Sequence, residues 1–264
     1  MLMLFRLPLL LLALALTLPR LPLRPALSAQ AAAPTPAAAQ ARRIVRQAIG
    51  ALGGDMYLQA AERSGQGYYY TFSSAGEMNG AGNRFWSYYR FPADERLELT
   101  KKRNVIYIFA GGKGWQITFR GVAPMLRPAL RNYVEESRHS LDVILKSWAA
   151  NPQTLMLAQG QQSYDEAPVN AVLFTNPQGV SATVQFARDT HLPERVYWTR
   201  TDPDTGGRYV QSVVYGDWAS IGGIEAAFSV DTYQGPQRLA QRYYTQISFA
   251  PFPDSLFIPK PLKK

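Results

Sequence analysis

From Gln40 to Leu52 the apolar residues fall at Ala41, Ile44, Val45, Ala48, Ile49 and Leu52, a spacing that lays one apolar stripe along a helix. Gly53-Gly54 ends it, because glycine accepts the left-handed backbone of a C-cap. Asp55 is placed to cap a short second helix running to Ala61. From Gln66 the period drops to two. Tyr68, Tyr70 and Phe72 alternate with Tyr69 and Thr71, and Phe85 to Phe91 reads as a second strand. In the third, from Glu95 to Thr100, Leu97 and Leu99 share one face while Arg96, Glu98 and Thr100 share the other. Val105 to Ala110 is a buried type of strand. After the turn Gly111-Gly112-Lys113-Gly114, Trp115, Ile117 and Phe119 form one face of the next. Aromatic and β-branched residues at this spacing are the strongest strand signal a sequence carries.

The strand pattern breaks between Pro124 and Ala150. Leu126, Leu130, Tyr133 and Val134, then Leu141, Ile144, Leu145 and Trp148, follow helical spacing. Pro124 and Pro128 suit a helix start. The polar run Ser137 to Ser140 divides the stretch into two helices, the second capped by Ser140, and Asn151-Pro152 stops it. Strands then resume near 154–162, 169–175, 180–187, 194–201, 208–215, 224–233 and 239–249. They are joined by turn-forming sequences such as Asn176-Pro177-Gln178-Gly179 and Asp202-Pro203-Asp204-Thr205-Gly206-Gly207. Short turns between successive strands predict an antiparallel meander. The Pro-rich tail is expected to pack at Phe257. The fold class is mainly β (α+β): one curved antiparallel sheet with an N-terminal helix and a mid-chain helical insertion on its concave face. A sheet of a dozen strands must curl. Its hollow is then either a pocket for an apolar ligand or a core plugged by side chains, and the pattern alone leaves both open. Leu97, Leu99, Trp115, Ile117, Val184, Phe186, Val196 and Trp198 hold the alternating core-like positions from which a cavity lining would be drawn.

The N-terminus assigns a compartment. Arg6, the apolar run Leu7 to Leu18 and the small residues around Ala29 describe a secretory signal peptide over residues 1–29, an uncleaved anchor being the rival reading. The run is shorter than the roughly 20 residues a spanning helix needs. Residues 30–39, rich in Ala and Pro, are expected to be a disordered linker before a single domain over 40–264. The sequence has no cysteine. That excludes disulfides, thiolate catalysis, Cys-ligated metal and a bacterial lipid anchor on cysteine. The formal charge is +9; without Arg6, Arg20 and Arg24 of the leader it is +6. A basic surface of this size is ordinary, and it is also compatible with an anionic membrane surface. No nucleic-acid motif accompanies it.

Candidate chemistry is sparse. His139, at a helix junction, and His191, in a turn, read as solvated residues rather than metal ligands, since no ligand spacing links them. The Gly111–Gly114 run lacks phosphate-loop spacing and precedes a strand, so it reads as a hairpin. No G-x-S-x-G elbow occurs. Asp94/Glu95 and Asp202/Asp204 are most simply turn residues. Lys101-Lys102-Arg103 is a basic strand tip, either solvated or facing an anionic membrane.

Six short stretches occur in a familiar order: Ala51-Leu52-Gly53-Gly54; Phe91-Pro92-Ala93-Asp94-Glu95-Arg96; Gly112-Lys113-Gly114-Trp115; Asp189-Thr190-His191-Leu192-Pro193; Tyr215-Gly216-Asp217-Trp218 with Gly222-Gly223-Ile224; and Ser255-Leu256-Phe257. In this order the chain resembles the outer-membrane lipoprotein-sorting (LolA/LolB-like) superfamily. The resemblance implies an incomplete β-barrel of about eleven strands closed by helices over an apolar cavity, with no catalytic residue, metal or cofactor. It implies a periplasmic, monomeric carrier or binding protein for an apolar acyl chain or lipoprotein. The alternative is a non-enzymatic periplasmic protein-interaction or envelope-stress sensor module.

Overall fold

The structure, a computed structural model, describes residues 35–202 and 205–262. The expected signal peptide, the first half of the expected linker (30–34), the turn residues Pro203 and Asp204 and the last two residues lie outside the described residues. Among the described residues no helix is long and apolar enough to cross a membrane.

The chain begins with α1 (Pro36–Ala51) and α2 (Asp55–Gln59). Five strands follow: β1 (Glu62–Thr71), β2 (Asn83–Arg90), β3 (Asp94–Leu99), β4 (Val105–Ala110) and β5 (Lys113–Thr118), with the short β6 (Gly121–Pro124) behind them. Then come α3 (Arg127–Arg138) and a π-helical turn (Val143–Trp148). The chain finishes with β7 (Leu155–Tyr164), β8 (Ala167–Thr175), β9 (Ser181–Ala187), β10 (Pro193–Thr201), β11 (Arg208–Ile221), β12 (Ile224–Gln234), β13 (Gln237–Ser248) and a 3-10 turn (Asp254–Phe257). All thirteen strands form one open antiparallel sheet, in the order β6-β5-β4-β3-β2-β1-β13-β12-β11-β10-β9-β8-β7. Two meanders are therefore joined at their long strands, β1 against β13, and the helical insertion carries the chain from one sheet edge to the other.

Several features differ from the sequence expectation, among them β1, which begins at Glu62 rather than Gln66, and β11, which runs to Ile221 rather than 215. The sheet has thirteen strands, not about eleven. Pro124 ends β6 rather than starting a helix; α3 begins at Arg127, and Pro128 sits in its first turn, where a missing N–H costs nothing. Residues 36–39 are helical rather than linker. Thr35 Oγ1 accepts from the Ala38 N–H at 3.3 Å, and the alanines that follow have the highest helix propensity, so α1 starts a turn early. Ser140 behaves as expected: its Oγ accepts from the Val143 N–H at 3.3 Å at the start of the second helix.

Register explains the core. Val172, Val184, Val196 and Val213 stand side by side across β8, β9, β10 and β11. The first three are fully buried. On that row pack Ile44, Val45 and Ala48 of α1 and Ile144, Leu145 and Trp148 of the π-helical turn. This half of the inner face is solid. On the outer face of the other half, Ile106, Ile108, Ile117 and Trp115 are covered by the C-terminal tail through Phe252, Leu256 and Phe257. Arg90 pins the tail, pairing with Asp254 at 2.7 Å while lying 4.8 Å over the Phe257 ring.

His139 is not solvated. It is 3% exposed, its ring stacked on Trp198 at 4.5 Å between centroids, and its Nδ1 lies 2.8 Å from the Glu135 carbonyl. Burial lowers its pKa below the usual 6.5; Arg138 and Arg200 add to the lowering, and Glu135 pulls the other way. The unfolded chain therefore takes up this proton first. Stability is expected to be full above pH 6.5 and to fall as pH drops through 6.5 toward the folded-state pKa. His139→Phe, which keeps a ring on Trp198, is expected to flatten that part of the profile in urea denaturation at pH 5 to 8.

Glycine opens the sheet where the meanders meet. At Gly67 a Cβ would stand 1.9 Å from the Tyr243 carbonyl oxygen, whereas at Gly50 in α1 it would meet nothing. Gly67→Ala is expected to lower stability by about 2 kcal/mol through a forced backbone shift. Gly50→Ala is expected to raise it by about 0.5–1 kcal/mol through helix propensity. Denaturant midpoints measure both.

Candidate functional site

The inner face of β1, β2, β3, β11, β12 and β13 is not filled. Between it and the segment from α3 to Lys146 lies a cavity of about 380 Å³. Part of its wall is apolar: Leu52 and Leu141 on the helical side, and Val213, Ile224, Val230, Ala240 and Ile247 from the sheet. The rest is aromatic and ionic, which sequence reasoning did not foresee.

Two cross-strand rows supply the charges. Arg63, Tyr89, Glu95 and Phe109 are neighbours across β1 to β4. Tyr69, Arg242, Val230 and Tyr215 are neighbours across β1, β13, β12 and β11. Arg242 Nη1 donates to Glu95 Oε1 at 2.8 Å, which closes one ion pair across the hollow. The helical side adds Asp142 and Lys146, one turn apart. Asp142 lies 3.6 Å from Arg63 and 3.4 Å from Lys146. Lys146 also donates to the Ala60 carbonyl at 2.7 Å and rests 4.5 Å over the Tyr57 ring. Asp142 therefore ties the helical insertion to the sheet.

The electrostatics follow from depth. Burial alone would raise the Asp142 carboxyl, but Arg63 and Lys146 outweigh it and hold it below the usual carboxylate range. Burial and Arg63 lower Lys146 while Asp142 pulls it up. Burial raises Glu136 against the pull of Arg200 and Arg242. The phenols of Tyr57, Tyr89 and Tyr215 are pushed well up by burial, with Asp142 next. Burial and Glu95 do the same to Tyr133. These tyrosines stay neutral donors at physiological pH. The Tyr57 hydroxyl lies beside Asp142 but makes no hydrogen bond of acceptable geometry, and Trp218 Nε1 is likewise buried without a partner.

α3 forms the cover and has no buried residue of its own. It is held by particular contacts. Tyr133 stacks on Phe109 at 3.6 Å and donates to the Ala93 carbonyl at 2.7 Å, and Arg200 donates to Asn132 at 2.9 Å.

None of the eight residues drawn from strand alternation lines this cavity. Val184, Phe186, Val196 and Trp198 pack in the solid half under α1. Leu97 and Leu99 pack beside Phe85 and Tyr244. Trp115 and Ile117 belong to the cluster beneath the tail. The hollow is apolar only in part: Glu95, Glu136, Asp142, Arg63, Lys146 and Arg242 also line it. Of these the sequence singles out only Glu95, as a turn residue; it lies instead in β3, buried and paired with Arg242. The helical spacing of Asp142 and Lys146 beside the apolar stripe was a signal that could have marked two more. Their partner Arg63 is remote in sequence and carries no local mark. Among the described residues no group of three or more His, Cys, Asp or Glu is arranged to hold a metal ion.

Asp142→Ala leaves Arg63 and Lys146 without their shared counter-charge. Arg63 keeps 39% of its side chain accessible through the cavity, so the cost is expected to be about 2–3 kcal/mol rather than that of a fully buried pair. In urea denaturation, the added change Arg63→Met is expected to recover part of the loss.

No family model matches the chain, and no curated protein matches it in sequence. Solved structures do match in shape. A LolA superfamily protein of Nitrosomonas europaea superposes with a TM-score of 0.53 at 11% identity, over 83% of this chain and 97% of that one. A DUF1329 family protein of Desulfovibrio piger superposes with a TM-score of 0.57 at 12% identity, over the same 83% of this chain and 97% of its own. With its open antiparallel sheet covered in part by an N-terminal helix and a mid-chain helical insertion, the chain has a LolA-like fold.

Proposed function

We propose that this chain is an exported, non-enzymatic carrier or binding protein of the cell envelope. It holds the acyl chain of a lipid or lipoprotein in the cavity beneath α3, as a step in sorting lipoproteins to the outer membrane. The observation that carries the reading is the hollow itself. A volume of about 380 Å³ is in the range of sites that take one small ligand, and its apolar wall matches a hydrocarbon tail. The fold, shared with a LolA superfamily protein, supports it. The cover supports it too: a helix with no buried residues, docked by a few polar and aromatic contacts, can move aside without dismantling the core.

The test is direct. Protein purified from the envelope fraction is extracted and its lipids identified by mass spectrometry, and the stripped protein is titrated with a fluorescent fatty-acyl probe. One bound probe per chain is expected. Ala240→Phe, which fills the apolar wall, is expected to weaken probe binding about tenfold or more with little change in stability. A protein that carries no lipid and ignores the probe refutes the reading.

A further inference from the structure

The two ionic poles of the cavity are not equivalent, and the difference points to the kind of ligand. At one pole Arg242 is spent on Glu95 in a 2.8 Å hydrogen bond, and Glu136 adds a further acid to the lining. At the other, Asp142 lies within reach of two cations; of the further acids on the lining, Glu62 is paired with Arg90 at 2.8 Å and Glu225 makes no ion pair among the described residues. Lys146 is fully used: it reaches Asp142 and the Ala60 carbonyl and is 7% exposed. Tyr57 crowds the same carboxylate. Arg63 is left over. Its contacts are the 3.6 Å approach to Asp142 and the Tyr89 ring at 5.4 Å, and none of its five N–H donors makes a hydrogen bond among the described residues. Yet 39% of its side chain is accessible, in a residue that lines the cavity. A guanidinium with a planar fork of free donors and apolar wall beyond it is the arrangement that receives a carboxylate or a phosphate.

We propose that the cavity selects a single-chain anionic amphiphile, its carboxylate or phosphate head on Arg63 and its tail along Val213, Val230, Ala240 and Ile247. This rests on the carrier reading and specifies what is carried. An anionic head replaces the long contact to Asp142 with short charge-assisted hydrogen bonds, and Asp142 keeps Lys146. The volume admits one tail rather than several.

The experiment is a calorimetric titration of the stripped protein with four probes of equal tail length, each below its micelle concentration: dodecanoate, dodecyl phosphate, dodecanol and dodecyltrimethylammonium. The two anions are expected to bind on the order of tenfold to a hundredfold tighter than the alcohol, and the cation weakest. The stronger of the two anions tells carboxylate from phosphate. Arg63→Gln is expected to bring the anions down to the alcohol's affinity. Arg63→Lys, which keeps the charge but not the fork, is expected to retain part of the preference. Lys146→Met removes the second cation beside Asp142, which is then left to compete for Arg63, and is expected to narrow the gap severalfold, so the proposal stays testable if one Arg63 variant does not fold. Equal binding of all four probes, a preference for the cation, or an anion preference that survives both Arg63→Gln and Lys146→Met overturns the head-group assignment and leaves the carrier reading standing. Binding of none of the four removes both.

Discussion

A single open sheet of thirteen strands has two faces to keep from water, and among the described residues three helices, a π-helical turn and a short tail do it. Everything else in the structure is a consequence of how that limited cover is shared out. α1 and the π-helical turn go to the inner face of β7 to β10, where the valine row gives them a flat apolar bed. The tail goes to the outer face of β2 to β5. What remains is the inner face around β1 and β13, where α3 and the residues before Lys146 reach across without descending into the sheet. The gap they leave is the cavity, so its place is set by where the cover runs out.

That division makes the ionic groups intelligible. A half-covered sheet face lined only with Leu and Val would draw the insertion down and close. Charged side chains resist such a collapse, because each must keep its partner and its remaining solvation. Asp142 bridges from the helical side to Arg63 on β1, and Glu95 bridges β3 to Arg242 on β13. The Asp142–Arg63 pair holds the two sides at a fixed separation more than it stabilises them, since desolvation cancels much of the attraction between buried charges. α3, with no buried residue, then owes its position to Tyr133 on Phe109 and to Arg200, contacts of the kind that break one at a time.

Much of the fold was legible in the sequence, and the reason is local. Strand period and turn residues are read over a few positions, and they placed β7 to β13 and both parts of the helical insertion close to where they lie. The short β6 escaped because Gly121, Val122, Ala123 and Pro124 carry no alternation, and Pro124 reads as a helix start. The candidate site was not legible, for a different reason. Alternation tells which residues of a strand share a face but not what covers that face. Trp115 and Ile117 have the same pattern as true cavity residues, and they lie on the opposite side under a tail whose prolines give no period. His139 read as polar and solvated because burial there comes from Trp148 and Trp198, one of them far along the chain. Arg63 and Asp142 meet only because β1 and the insertion face each other after folding.

The separation of a solid half from a hollow half has a further consequence for how the chain tolerates change. In one sheet, residues that secure the fold and residues that line the cavity would ordinarily compete for the same face. Here the valine row runs from β8 to β11 and the cavity wall over β1 to β3 and β11 to β13, and the seam where Val213, Tyr215, Trp218 and Ile224 belong to both is narrow. Lining residues such as Val230 or Ala240 can vary in size without loosening the valine row, and the row can be tightened without narrowing the cavity. A fold arranged in this way keeps its architecture while its cavity lining drifts. That is a physical reason for a likeness to known structures that is plain in shape at 11–12% identity, while sequence comparison finds no match.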